Sequence, residues 1–244
     1  MERRPDVETP TATAMSNADI MAMKQVPVLC YHRIQPMAKD EYSVTPAAFA
    51  AQMQILKDSG YTSILPEDLY LHYQTGKPLP AKPVMISFDD TRKEHYNIAA
   101  PEMEKHGFRG VFFIMTISIN RKHYMTAEEI ARLDSMGHTI GSHTWDHHKV
   151  TKYSGEDWKM QIDSSSRRIQ GITGKPVEYF AYPFGIWDNA AANELEKRGM
   201  KLSFILSTSR DSTIPKQTVR RMIVPHNWSP QGMLGAMRAT FSRG

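Results

Sequence analysis

From Val26 onward the chain alternates short apolar runs with helix-like segments, and this alternation restricts it to folds built on a parallel sheet with helices outside. The apolar runs are Val26–Tyr31, Thr62–Leu65, Val84–Phe88, Gly110–Met115, His138–Ser142, Tyr179–Tyr182 and Leu202–Leu206. Between them, Thr45-Pro46 reads as an N-cap followed by proline in the first turn, with Phe49, Met53 and Leu56 on one stripe. Thr126 to Glu129 forms a capping box that opens a helix ending near Gly137. Further helices are expected over Gly155–Gly171 and Asp188–Arg198, the latter stopped by Gly199, and after Trp228-Ser229-Pro230. About seven β-then-α units within 244 residues predict an α/β fold of one domain, a distorted (β/α) barrel with about seven parallel strands. In such a fold the chemistry belongs at the carboxyl ends of the strands.

Composition narrows the classes. With 41% hydrophobic and 23% charged residues the chain is an ordinary globular protein. A formal charge of +4 is spread among acids, with neither basic clusters nor aromatic platforms, so no nucleic-acid partner is expected. No apolar run reaches about 18 residues, so no transmembrane segment is expected. Residues 1–24 read as a flexible tail ahead of one folded domain over 25–244. Arg3 and Arg4 supply the basic start of an export signal, but no apolar core follows them, and placement inside the cell stays open. The single cysteine, Cys30, cannot form an internal disulfide and reads as a small buried hydrophobe. Strand alternation puts it on the same face as His32.

Titratable residues collect where these strands end. Val84–Phe88 runs into Asp89-Asp90, Gly141-Ser142 into His143-Thr-Trp-Asp-His147, Tyr179–Tyr182 into Pro183-Phe184-Gly185, and Val26–Tyr31 into His32. Two adjacent carboxylates cannot both be buried without partners. One could hold a metal and the other act as a base, or one could simply cap a helix. Histidines four apart place both imidazoles on one face of a helical turn, an arrangement suited to a single transition metal. One aspartate with two histidines makes a three-ligand set that leaves positions for water and substrate, and a second carboxylate beside it supplies a base.

These motifs, in this order, resemble the polysaccharide deacetylases of carbohydrate esterase family four: Ser87-Phe88-Asp89-Asp90, His143-Thr144-Trp145-Asp146-His147 and Tyr182-Pro183-Phe184-Gly185. The resemblance runs from about Val26 to Val224. The opening Leu29-Cys-Tyr-His32-Arg-Ile34 is similar to the branch that deacetylates poly-β-1,6-N-acetylglucosamine, in which the catalytic acid comes early in the chain. The resemblance implies that Asp90, His143 and His147 bind the metal and that Asp89 is the base. It implies that the backbone N–H of Phe184 meets the oxyanion and that His32 donates a proton to the leaving amine. Zinc suits the donor set first, with cobalt, nickel or iron as alternatives. His226 is the rival acid. Tyr182, Trp145, Trp187 and Trp228 are candidate sugar contacts near the motif ends. His72, His95, His106 and His123 have no partner pattern and read as surface residues.

Two positions depart from the family pattern. Thr91 stands where a glycine is usual, and Ala181 where an arginine usually orients the base; Arg221 could fill that role from another strand. The implied activity is metal-dependent removal of N-acetyl groups from an N-acetylglucosamine polysaccharide. The alternatives are O-deacetylation of acetylated xylan and a carbohydrate-binding protein without catalysis. Such a substrate implies a secreted, periplasmic or cell-surface location. Nothing in the sequence fixes oligomeric state, and a monomer is the simpler expectation.

Overall fold

A computed structural model describes residues 14–38, 40–206 and 209–242 of the chain. Eight strands carry the barrel: β1 (Val28–Tyr31), β2 (Pro83–Phe88), β3 (Val111–Ile114), β4 (Thr139–Ser142), β5 (Tyr179–Ala181), β6 (Leu202–Ile205), β7 (Val219–Arg220) and β8 (Met222–Ile223). Their order in the sheet is β7-β6-β5-β4-β3-β2-β1-β8, with every pairing parallel. The two outer strands, β7 and β8, are consecutive stretches of one segment on either side of Arg221. One edge therefore bonds β6 while the other bonds β1, and the sheet wraps into a nearly closed barrel. Around Arg221, its own N–H donates to Ile205 O at 3.1 Å and Val224 N–H donates to Cys30 O at 3.1 Å. The run expected over Thr62–Leu65 contributes only Thr62–Ser63, which pairs with the start of β2 outside the barrel path.

Period-2 alternation sorts the strand residues onto two faces. Leu29, Tyr31, Ile86, Phe88, Phe112 and Ile114 pack with helix residues such as Phe49, Met53 and Met103. Val28, Met85, Val111, Phe113, Leu202 and Phe204 form a second cluster. Phe88 stacks on Phe112 with ring centroids 4.8 Å apart. Burying each such ring contributes roughly 1.5–3 kcal/mol. The same alternation along β2 puts Met85, Ser87 and Asp89 on one face, so the first aspartate continues the inward row past the strand end.

The helices start where their caps require. Thr45 accepts from Ala48 N–H ahead of Pro46–Asp58, and Thr126 and Glu129 exchange both capping-box bonds ahead of Ala127–Ser135. The helix expected to end at Gly171 continues to Thr173 and stops at Gly174, the residue that adopts the left-handed cap (φ 73°). Gly141 in β4 has no room for a side chain: a Cβ there would lie 2.6 Å from the Phe113 ring and 2.8 Å from Tyr179 O.

The expected tail needs correction in part. Residues 1–13, Arg3 and Arg4 among them, lie outside the described residues. Asn17–Ala22 is a helix with a Ser16–Asp19 capping box, and its Ile20 is buried. Arg210 clamps it to the domain, donating to Ile20 O and to the Tyr73 hydroxyl at 3.1 Å each. One buried side chain every several residues is too weak a pattern for a two-turn helix to show in sequence. Among the described residues no helix is long and apolar enough to cross a membrane.

Candidate active site

Asp89 is buried at the end of β2, where Arg221 grips both of its oxygens: Nη1 donates to Oδ1 at 2.7 Å and Nη2 to Oδ2 at 2.8 Å. Burial alone would raise this carboxyl, but the Arg221 guanidinium, with His143 and His32, holds it well below the ordinary carboxylate range. Asp89 is therefore ionised at neutral pH and fixed in orientation. Arg221 reaches it from the one residue that links the two closing strands.

Asp90 and Thr91 then turn the chain sharply, with φ of 76° and 61°. Left-handed backbone costs a β-branched residue about 1–3 kcal/mol unless its surroundings compensate. Here the Thr91 hydroxyl accepts from Met115 N–H at 2.7 Å and donates to Met115 O at 3.2 Å, and Thr91 O accepts from Met125 N–H at 2.9 Å. This turn carries the Asp90 carboxylate away from Asp89 and toward the histidines. Its Oδ1 lies 3.6 Å from His143 Nε2 and 3.7 Å from His147 Nε2.

His143 is oriented from behind. Its Nδ1 lies 2.7 Å from Ala181 O, and a carbonyl only accepts, so Nδ1 carries the proton and the Nε2 lone pair faces the cleft. The spacing of His143 and His147 does not come from a helical turn, as their separation suggested. The segment is a loop, and left-handed Thr144 (φ 66°) and His147 (φ 70°) curl it back. His147 N–H is pinned to the Thr144 hydroxyl at 2.9 Å, and the two imidazoles meet edge to face at 4.7 Å. Burial, with His143 beside it, lowers His147 below its ordinary value and keeps it a neutral donor.

The Asp90, His143 and His147 donor atoms all lie within 4.8 Å of one another. Two ligands at tetrahedral angles, each about 2.1 Å from zinc, sit about 3.4 Å apart. The observed 3.6 and 3.7 Å therefore fit one cation, and the bond from His143 Nδ1 to Ala181 O holds that ring with Nε2 facing the shared point.

His32 follows β1 and faces the same cleft, its Nε2 3.8 Å from Asp89 Oδ2. Burial lowers its imidazole below the ordinary histidine value, against the pull of the Asp89 and Asp90 carboxylates. Cys30 lies beneath, fully buried, with its thiol 3.6 Å from Asp89 Oδ2. Burial pushes that thiol well above its ordinary value, so it stays protonated and is no nucleophile. The rival acid, His226, is exposed outside the cleft with its Nδ1 3.0 Å from Asp40 O.

These groups share a cleft of about 670 Å³ at the carboxyl end of the barrel. Its aromatic walls are Tyr42, Tyr124 and Phe184, and Arg33 and Arg92 add positive charge. None of Tyr182, Trp145, Trp187 and Trp228 lines it. Tyr182 is fully buried, Trp187 and Trp228 pack on the helix-side core, and Trp145 lies under the Arg168 guanidinium. Nearness to a motif in sequence misleads here, because the loop turns the tryptophan outward while its neighbours face the cleft. Phe184 sits at φ 59°, its ring 4.4 Å from that of His147. The next residue must be glycine, since a Cβ on Gly185 would lie 2.5 Å from Leu206 N. Tyr42 and Tyr124 lie in loops without a strand-end motif. The one sequence hint was position, since both follow strands at the end where sites form.

A family model for polysaccharide deacetylases matches residues 76–203, just over half of the chain. The chain belongs to the polysaccharide deacetylase family. A Bacillus subtilis relative, YxkH, described as belonging to the same group, is 27% identical over 73% of this chain. This chain spans 63% of that protein's length. The poly-β-1,6-N-acetyl-D-glucosamine N-deacetylase of Staphylococcus aureus is 26% identical, covering 72% of this chain and 67% of its own. The fold is shared with the Streptococcus pyogenes deacetylase PplD (TM-score 0.80, 22% identity, 87% of this chain and 98% of that one). In this chain the matched segment holds Asp89, Asp90, His143 and His147. His32 and Arg221 come from outside it, brought in by the barrel strands that flank β2 and close the sheet.

Proposed function

We propose that this polysaccharide deacetylase is a metal-dependent N-deacetylase that removes acetyl groups from a polymer containing N-acetylglucosamine. The observation that carries this reading is the pairing of a three-donor cluster, Asp90, His143 and His147, with an adjacent carboxylate held in a two-bond grip by Arg221. A divalent cation, zinc first, bound by those three residues supplies electrophilic activation of water and of the acetyl carbonyl.

The remaining chemistry belongs to the chain. Asp89, ionised and oriented by Arg221, takes a proton from the attacking water as oxygen bonds to the acetyl carbon. His32 rests neutral, because burial lowers it, and its Nε2 lies 3.8 Å from Asp89 Oδ2. The proton taken by Asp89 passes to His32 as the two close from 3.8 Å to hydrogen-bond distance, and His32 delivers it to the leaving nitrogen as the C–N bond breaks. Acetate and a free amino sugar result. Phe184 N–H, in its left-handed turn, is assigned to the carbonyl oxygen as negative charge develops there. Tyr42, Tyr124 and Phe184 give sugar rings apolar faces to stack on. The name of the Staphylococcus aureus relative and the early position of His32 favour an amino-sugar polymer over acetylated xylan. That substrate class favours work outside the cytoplasm.

The test is acetate release from N-acetylglucosamine oligomers by the purified protein, after chelation and after restoring zinc, cobalt or nickel, beside Asp89→Asn. Metal-restored release that is lost in the variant supports the reading. Release from acetylated xylan alone replaces it with the ester activity, and a metal-loaded protein inert on both substrates sinks it.

A further inference from the structure

His95 is fully buried, contrary to its expected place on the surface. It opens a π-helical turn, His95–Ala99, that runs into the helix Ala100–Lys105; such turns often occur at functional sites. Its ring lies against Phe88 and Phe112, with centroids 5.2 and 6.3 Å away. Its Nε2 lies 2.5 Å from His32 O. A carbonyl only accepts, so Nε2 carries the proton and Nδ1 is a bare lone pair. That Nδ1 has no partner among the described residues. A buried polar atom without a partner is destabilising. A phenylalanine would fill this apolar slot without that cost, so the distinguishing contribution of the histidine is its single bond to His32.

The backbone explains why that bond matters. Along β1 the sheet occupies the carbonyls in turn: Cys30 O accepts from Val224 N–H and Tyr31 O from Asp89 N–H, both at 3.1 Å. The strand ends at Tyr31. His32 O is the next carbonyl in the row, and the His95 side chain takes it in place of a sheet neighbour.

We propose that His95 is a positioning residue. Its Nε2–H adds one rung to the β1 ladder, fixing the His32 backbone so that the imidazole stands over Asp89. This rests on the reading of His32 as the proton donor to the leaving group. A displacement of about 1 Å in a reacting group can cost on the order of 100-fold in rate. Release of His32 should therefore lower kcat for a poor leaving group and leave KM nearly unchanged.

The experiment compares kcat on an N-acetylglucosamine oligomer with kcat on an aryl acetate, whose phenolate leaves without a proton. His95→Phe fills the slot and removes the donor. His95→Gln keeps a donor at the same reach, and His95→Asn holds one too short to arrive. The expected result is an amide-to-ester ratio reduced at least tenfold in the Phe and Asn variants, with amide KM within about twofold, and restored by Gln. If the Phe variant does not fold, the Gln and Asn pair decides alone. Equal ratios in Gln and Asn, or parallel loss on both substrates, overturn the positioning role. His32→Ala separates the two readings. If it leaves the ratio unchanged, the donor reading falls and the inference with it. If it lowers the ratio while Phe and Asn at position 95 do not, the inference alone falls.

Discussion

Two histidines bracket β4, and they are wired in opposite senses. At the amino end, His138 Nδ1 accepts from Gly110 N–H at 3.1 Å, its ring stands edge-on to Phe112, and its buried Nε2 has no partner among the described residues. At the carboxyl end, His143 Nδ1 donates to Ala181 O, and its Nε2 opens toward two carboxylates. The tautomers differ because parallel strands leave N–H groups free at one end of a barrel and carbonyls free at the other. A histidine at the amino end is thereby closed against ligands, whereas one at the carboxyl end is turned into a donor. The hollows at the two ends differ in the same way. The amino-end one, about 360 Å³ and lined by residues such as Val26, Leu79 and Phe241, has no carboxylate or thiol in its lining.

Substitution should expose this contrast most strongly in activity. His143→Ala removes a donor and should lower kcat/KM by about 1,000-fold or more, and Asp89→Asn by a similar factor. His138→Asn, which keeps an acceptor for Gly110 N–H, should stay within a few-fold of the parent. Acetate release checks all three. Comparable losses at 138 and 143 would erase the distinction between the ends.

Stability should show the next largest effect. Arg221→Met leaves Asp89 charged and buried without its partner, and breaking such a pair costs about 3–5 kcal/mol. Urea denaturation measures it, and a loss under 1 kcal/mol would mean that the pair is not closed in solution. Arg221 also marks the limit of what the sequence made legible. Its link to Asp89 spans 132 positions and exists only because the last segment changes neighbours at that residue. The strands were legible because burial on both faces makes them continuous apolar runs. The candidate donors Asp90, His143 and His147 were legible because they sit at or just past the ends of those runs. The aromatic walls and the buried His95 were not, since loops and a π turn have no period that separates inward from outward. The His143–His147 pair was recognised through a helical spacing that the loop does not use.

A pH titration separates the amino-end histidine from the rest. Burial, with Arg109 nearby, pushes His138 down to about 4. Its unfolded value is about 6.5, so between those values the unfolded chain binds the extra proton and stability rises with pH. This contribution is fully present above pH 6.5 and is lost as pH falls to 4, amounting to roughly 3 kcal/mol. Replacing His138 with Gln should flatten that part of the stability profile measured by denaturation from pH 7 to 4. An unchanged slope would assign the acid sensitivity to His32, His95 and His147, which are lowered in the same direction.

The two ends also differ in how they turn the chain. Ahead of strands at the amino end, positive φ falls on glycine: Gly107 at 72°, Gly137 at 86° and Gly199 at 85°. At the carboxyl end Gly185 (67°) is joined by Asp90, Thr91, Thr144, His147 and Phe184, which carry side chains at positive φ. Thr91 tests how that strain is offset. Glycine in its place relieves about 1–3 kcal/mol of backbone strain but loses two hydroxyl hydrogen bonds worth about 0.5–1.5 kcal/mol each. The net change in Thr91→Gly should be within about 1 kcal/mol. Valine keeps the strain, loses both bonds and fills the space through which water could reach Met115 N–H in the glycine variant, so Thr91→Val should be destabilised by about 2 kcal/mol or more. Both are read by denaturation, with kcat on the amide as a check that Asp90 still reaches the histidines. If valine is tolerated as well as glycine, the hydroxyl is not what holds this turn, and the strain must be offset by the Met125 N–H bond to Thr91 O alone.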